Sequence, residues 1–323
     1  MYMIRYILRL LVPVIFFTIV FHIIKPGDIY DAFYRADWGW FLIGSLCILI
    51  LNYLCSLRTR ELLGNNKSSL PLLFAIHSLS ALISGFLPFR TGELSFVYYL
   101  KKHCVIPTVE GAAILVSIRF AEYLFFIIII FILSALGIVF QPSIPAWYTF
   151  GIISANLVMI VIVLWKARWI MNVLRSLSSK TVCFFMTRSM ADFLSRKFES
   201  FSVALIRLYR TNNSTKPLLL TLAIVIVRHI FVLSMLKGMN VIIDLEFIVL
   251  LFAFLYASKF IQGLGSFGNH EAGIVAALLL TGMTKNEALS AAIGTHLLQW
   301  APILLLGGLS YIVLYLNTAN KKS

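Results

Sequence analysis

Six apolar runs, over residues 6–24, 38–57, 112–136, 146–165, 217–236 and 288–316, are each about as long as a membrane-spanning helix or longer. Some 20 residues suffice to cross about 30 Å of hydrocarbon, so each run predicts one full transmembrane helix. Two further apolar stretches, 70–100 and 247–282, are interrupted near their middles by LPFRTGE and GLGSFGNHE. Glycine, proline and charge break a helix there, so each stretch predicts two short helical arms joined by an irregular tip.

Basic residues orient these elements. The segment 166–216 carries ten Lys or Arg against Asp192 and Glu199, a net +8, and is the strongest cytoplasmic label in the chain. Counting back from it, Lys101 and Lys102 are cytoplasmic, and so are Arg58, Arg60 and Lys67 on the other side of the first broken stretch. The chain therefore enters and leaves that stretch on one face, as a re-entrant hairpin. A single crossing would export the +8 segment, and two crossings fail because a return arm over 94–100 is only about 10 Å long at helical rise. The second broken stretch, flanked by Lys237, Asp244, Lys285 and Glu287 without a basic excess, falls on the opposite face. Lys321 and Lys322 lie inside, so both termini are expected in the cytoplasm, with the protein multi-pass in the cell (plasma or inner) membrane.

The expected fold class is an all-α polytopic membrane protein with six full transmembrane helices plus two re-entrant helical hairpins in an inverted repeat. Residues 1–140 form the first half, with the cytoplasmic-side hairpin at 70–100. Residues 141–323 form the second, with the basic segment 166–216 and the opposite-side hairpin at 247–282. Internal symmetry follows from such a layout. Placing FRTGE (89–93) over FGNHE (267–271) aligns Phe with Phe and Glu with Glu at an offset of 178. With a one-residue gap, Glu110 falls on Glu287, Arg119 on His296, Glu122 on Gln299 and Tyr123 on Trp300.

Composition agrees with a bilayer solvent: 60% hydrophobic, 12% charged and a mean hydropathy of +0.94 over 323 residues. The formal charge of +14 is what cytoplasmic membrane loops require and does not call for nucleic acid. In 166–216, Trp169, Val173, Leu177, Phe193, Phe198, Phe201, Leu205 and Leu208 recur at helical spacing among basic residues. That pattern suits helices lying on an anionic leaflet, with a solvated loop as the alternative. Cys47, Cys55, Cys104 and Cys183 are scattered and form no metal-ligand set. The first apolar run ends in HIIKPGD without a small-residue cleavage site, so it is expected to remain as a transmembrane helix.

Irregular backbone at membrane depth survives only against protein or a wet cavity, so both tips should point inward and meet near the midplane. That would gather Arg90, Thr91 and Glu93 with Ser266, Asn269, His270 and Glu271, with Gly92, Gly263, Gly265 and Gly268 serving the reversals. Arg119 and Glu122, three apart on one helix, Arg228 beside His229, and Lys259 add further intramembrane charge. Four cations (Arg90, Arg119, Arg228, Lys259) against three acids (Glu93, Glu122, Glu271) suit a phosphate or other anionic head group. The alternative is that Arg119 with Glu122 and Arg90 with Glu93 are internal ion pairs fixing register. Lys259 has the further option of snorkelling to an interface. His270 is the histidine expected to handle protons. No P-loop, GxSxG, HExxH or metal-spaced His/Cys set occurs, so neither cofactor nor metal is expected.

The segments PFRTGE (88–93), RFAE (119–122) and GLGSFGNHEAG (263–273) resemble the membrane domain of the lysylphosphatidylglycerol synthase family, a flippase-like family, over nearly the whole chain. The resemblance implies lipid translocation by the membrane domain, with aminoacyl transfer confined to a fused soluble domain that residues 1–323 do not include. The function expected is a flippase-like transporter of a lipid with an anionic head group, and not an enzyme. A membrane enzyme acting on a lipid-linked sugar or lipid phosphate, with Glu93 or Glu271 as general base, is the alternative. A scaffold for a partner synthase or glycosyltransferase is a third reading.

Overall fold

The computed structural model describes residues 34, 36–64, 68–87, 92–140, 154, 215–258 and 269–319. Among them are eight helices and no strand: α1 (Trp38–Leu63), α2 (Leu70–Phe86), α3 (Glu93–Cys104), α4 (Thr108–Phe140), α5 (Thr215–Gly238), α6 (Leu245–Ser258), α7 (Asn269–Leu280) and α8 (Lys285–Ala319). The runs expected at 38–57, 112–136, 217–236 and 288–316 lie inside α1, α4, α5 and α8. Of the eight helices, α1, α5 and α8 stand out as both long and apolar enough to cross a membrane. Residues 6–24, 146–165 and the basic segment 166–216 lie outside the described residues, apart from Ser154.

Helix lengths run 26, 17, 12 and 33 residues from α1 to α4, then 24, 14, 12 and 35 from α5 to α8. The same succession occurs twice, and the broken stretches are its second and third members. Residues matched by the sequence repeat take matching places in it. Glu93 and Glu271 stand in the first turns of α3 and α7, and Glu110 and Glu287 in those of α4 and α8. A carboxylate suits each of these positions because the exposed amides of a helix start carry partial positive charge.

Local chemistry sets the helix ends. The amide of Gly39 donates to Asp37 Oδ1 at 2.9 Å, and that of Phe247 to Asp244 Oδ1 at 2.7 Å, so aspartates cap α1 and α6. Thr284 and Glu287 form a reciprocal capping box on α8, with the Thr284 amide donating to Glu287 Oε2 at 3.1 Å and the Glu287 amide to Thr284 Oγ1 at 3.5 Å. Gly64 (φ 76°) closes α1 and Gly282 (φ 86°) closes α7, both in the left-handed region where a Cβ is penalised.

Contacts divide the chain into two compact units, one of Met1–Tyr53, Ala75–Ser95 and Ile226–Ser323, the other of Leu54–Phe74 and Phe96–Val225. These packing units do not coincide with the sequence halves 1–140 and 141–323. In the first unit, α7 lies close against α6: a Cβ on Gly273 would come within 3.0 Å of Leu255 Cα. Leu255 is near the end of α6 and Gly273 near the start of α7, so the two form an antiparallel hairpin. The first hairpin closes more tightly, since a Cβ on Gly92 would sit 2.3 Å from Ser84 Cα. Elsewhere in this unit α8 runs along α2, with Gly307 against Leu82 and Gly85 against the Trp300 indole. Small residues at such crossings let apolar helices approach where no hydrophobic effect drives them together. Outward faces remain apolar, as with Leu42, Leu46, Leu49 and Tyr53 of α1 and Leu305, Leu309, Ile312 and Leu316 of α8, all exposed. That surface is stable only against lipid tails.

Candidate functional site

In the unit of Leu54–Phe74 and Phe96–Val225, α1, α4 and α5 assemble a charged cluster. α1 continues past the apolar run that predicts it and takes in Arg58, which is almost fully buried. Arg58 Nη2 donates to Glu122 Oε1 at 2.9 Å, and its Nη1 to Thr221 Oγ1 at 3.3 Å. The Thr221 hydroxyl in turn donates to the carbonyl of Pro217 at 2.7 Å, which holds its lone pairs toward the guanidinium. Glu122 Oε2 accepts from Arg119 Nη1 at 2.8 Å, so one carboxylate serves two guanidiniums.

The two arginines differ in setting. Side-chain exposure is 3% for Arg58 and 36% for Arg119. Arg58 Nε is buried with no hydrogen-bond partner among the described residues. A charge taken out of water has to be compensated by well-placed partners. Planar guanidinium forks of this kind match the geometry of carboxylate and phosphate groups.

In the other unit, the second hairpin and α8 build a different group. Glu271 Oε1 and His296 Nδ1 are in direct contact, and both residues are buried. The His270 ring meets that of His296 edge-on, with centroids 5.8 Å apart. Trp300, one turn further along α8, stacks nearly parallel to His296 at 6.3 Å, and Phe86 from the end of α2 packs on Trp300 at 4.8 Å. His229 of α5 is buried against Phe252 of α6, with centroids at 3.9 Å, and Arg228 beside it is half-buried.

The residues expected to form the site thus have separate settings. Arg119 and Glu122 are paired, and Glu271 is joined to His296 with His270 alongside. Glu93, in the first turn of α3, and Arg228 are half-buried. Asn269 is the first residue of α7. Arg90 and Lys259, with the tip residues around them, lie outside the described residues. Among the described residues no group of three or more His, Cys, Asp or Glu is placed to hold a metal.

The model of the lysylphosphatidylglycerol synthase TM region matches residues 6–307. The chain belongs to this family. It is therefore a multi-pass membrane protein, of a family named for the membrane region of a lipid-modifying synthase. No curated protein and no solved structure matches the chain significantly.

The buried charges include two residues that the candidate set omitted, Arg58 and His296. Arg58 reads from sequence as a basic marker after a transmembrane run, yet it is the most deeply buried cation of the cluster. Its signal was the helical continuation SLRTRELL, which puts Arg58 one turn beyond Leu54 on a helix still in progress. His296 appears in the internal repeat as the partner position of Arg119. The structure gives both positions a carboxylate to hold, Glu122 three residues on for Arg119 and Glu271 from the hairpin for His296.

Proposed function

We propose that this protein is a flippase-like transporter that binds a lipid through an anionic, phosphate-type head group and carries it between leaflets. The reading takes the six apolar runs as full crossings and the helix pairs α2–α3 and α6–α7 as re-entrant hairpins in an inverted repeat. The head group would exchange water for the protein's polar groups while its chains stay in lipid. Supporting it above all is the Arg58–Glu122–Arg119 cluster: two guanidiniums on one buried carboxylate, Arg58 buried and Arg119 partly exposed, inside a protein of a lipid-related membrane family. Arg58 sets the carboxylate, and Arg119 meets the anion. The basic segment 166–216 would hold the cytoplasmic face against anionic lipid. No chemical step on the lipid is part of this proposal.

The test is reconstitution into vesicles with a fluorescent anionic phospholipid and a zwitterionic one, scoring probe left accessible to an impermeant quencher. Wild type is expected to move the anionic probe faster than empty vesicles do. Losing one charge-assisted contact, worth about 1.5–3 kcal/mol, should slow Arg119→Gln by about tenfold or more on the anionic probe. Equal rates for wild type and empty vesicles overturn the proposal. A second reading, an enzyme acting on a lipid phosphate or lipid-linked sugar, draws on the Glu271–His296 pair, an acid and an imidazole in hydrogen-bond contact. A lipid product of changed mass, dependent on Glu271, would favour it.

A further inference from the structure

Two sides of α3 differ in kind. Phe96, Val97 and Leu100 are buried, and α4 closes on them at Gly111, where a Cβ would come within 3.1 Å of Val97 Cγ1. Tyr98, Lys101 and Lys102 fall on the other side and are exposed, as is Val105 in the turn that follows. Lys102 Nζ lies 6.0 Å over the Tyr98 ring, which meets Tyr99 edge-on at 5.2 Å. No Asp or Glu occurs between Glu93 and Glu110, so the only charge this face carries is positive.

Val105 departs from the way the other helices end. Its φ is 59°, in the left-handed region that Gly64 takes after α1, Asn240 (φ 58°) after α5 and Gly282 after α7. Glycine and asparagine suit that backbone, and a β-branched residue suits it least. The turn itself follows from packing: Ile106 is buried, its amide donates back to the Leu100 carbonyl at 3.3 Å, and Pro107 leads into α4. At 81% exposure the Val105 isopropyl group gains almost nothing by packing within the chain. Removal from water by a bilayer is what offsets both costs. Lysines in a last turn also suit the carbonyl end of a helix, but that role needs neither an exposed phenol beside them nor a valine after them.

In the hairpin reading above, the tip lies near the midplane, about 15 Å from the edge of the hydrocarbon. α3 is about 18 Å long, so its last turn emerges at head-group level, where a lysine stem can carry its ammonium to phosphate. We propose that Tyr98, Lys101, Lys102 and Val105 form a docking surface for an anionic phospholipid. The two ammoniums meet its phosphate, the Tyr98 ring lies at the interface and Val105 packs on the upper part of its chains. The depth rests on the hairpin reading; the surface shares no residue with the Arg58–Glu122–Arg119 cluster and does not require the lipid to cross.

The test is amine footprinting of the full chain in nanodiscs of phosphatidylcholine with rising phosphatidylglycerol, by brief acetylation and mass spectrometry of the peptides. Lys216 of α5 and Lys285 of α8, both exposed, report the general field of the bilayer. Lys101 and Lys102 are expected to become protected at a phosphatidylglycerol fraction about fivefold lower, the effect of one further basic contact at an anionic surface. Val105→Asp, which a left-handed backbone tolerates and which sets a like charge against the phosphate, should erase that advantage. Protection of all four lysines at one fraction overturns the proposal, and so does an undiminished advantage in Val105→Asp. Should that variant not fold, Tyr98→Ala takes its place under the same criterion. Protection by inorganic phosphate in pure phosphatidylcholine discs would make this an ion site, and protection that follows protein concentration in detergent would make it a contact between copies; either result overturns the lipid. The lipid-movement assay can fail while this footprint succeeds, and the reverse.

Discussion

Glu122 accepts from Arg58 through one oxygen and from Arg119 through the other, so the carboxylate and the two cations do not contribute equally to stability. Removing Glu122 leaves Arg58, at 3% side-chain exposure, as an uncompensated buried charge, while Arg119 at 36% is only partly buried. Glu122→Ala is expected to cost about 3–5 kcal/mol, the range for breaking a buried pair from one side. Combining Arg58→Met with Glu122→Leu removes both buried charges and fills much of their volume, so it should recover most of that loss. Thr221 is not orphaned in the double variant, because its hydroxyl still donates to the Pro217 carbonyl. Unfolding in detergent micelles, followed by circular dichroism, measures the three proteins. A double variant as unstable as Glu122→Ala would mean that the cluster is held by something other than charge compensation.

Helix crossings here depend on single hydrogen atoms. Gly307 and Gly308 are neighbours on α8, yet a Cβ on Gly307 would come within 2.6 Å of Leu82 Cβ while one on Gly308 meets nothing within 4 Å. Gly307→Ala is expected to destabilise by about 1–3 kcal/mol, as overpacking does, because the obstructing atom is anchored to the α2 backbone. Gly308→Ala should be neutral or gain up to about 1 kcal/mol from helix propensity. Comparing thermal midpoints in one detergent checks the pair, and equal effects would contradict the α2–α8 packing. This contrast marks where sequence stops being legible. Apolar length foretold the cores of α1, α4, α5 and α8, and the breaks at PFRTGE and GLGSFGNHE foretold the division of the short helices. Nothing local distinguishes Gly307 from Gly308, because the difference belongs to Leu82, 225 positions away from Gly307. The burial of Arg58 was hidden for a related reason: the apolar run ends before it, but the helix does not, and burial followed the helix. His296 was visible as a repeat position and became a site residue only when Glu271 was seen to reach it from the hairpin.

At the scale of the whole molecule, the inverted repeat proposed above would account for the doubled succession of helix lengths and the matching places of Glu93 with Glu271 and Glu110 with Glu287, with charge setting the opposite orientation of the halves. The orientation turns on the first hairpin. At 1.5 Å per residue, α2 is about 26 Å long and α3 about 18 Å, so α3 falls short of the roughly 30 Å hydrocarbon layer. If α2 and α3 together made one crossing, residues 166–216 with their net +8 would be driven to the outer face, against the strongest topological preference in the chain. Ser69 and Lys101 flank the hairpin and are both exposed. In a background with Cys47, Cys55, Cys104 and Cys183 replaced, Ser69→Cys and Lys101→Cys are each expected to resist a membrane-impermeant maleimide on intact cells and to react in inside-out vesicles. Reaction from opposite sides would make the stretch a crossing and reverse every later element. Reaction of both from outside would invert the whole assignment. Protection of both on intact cells, lost on inversion, leaves the re-entrant arrangement as the one compatible with helix length and charge together.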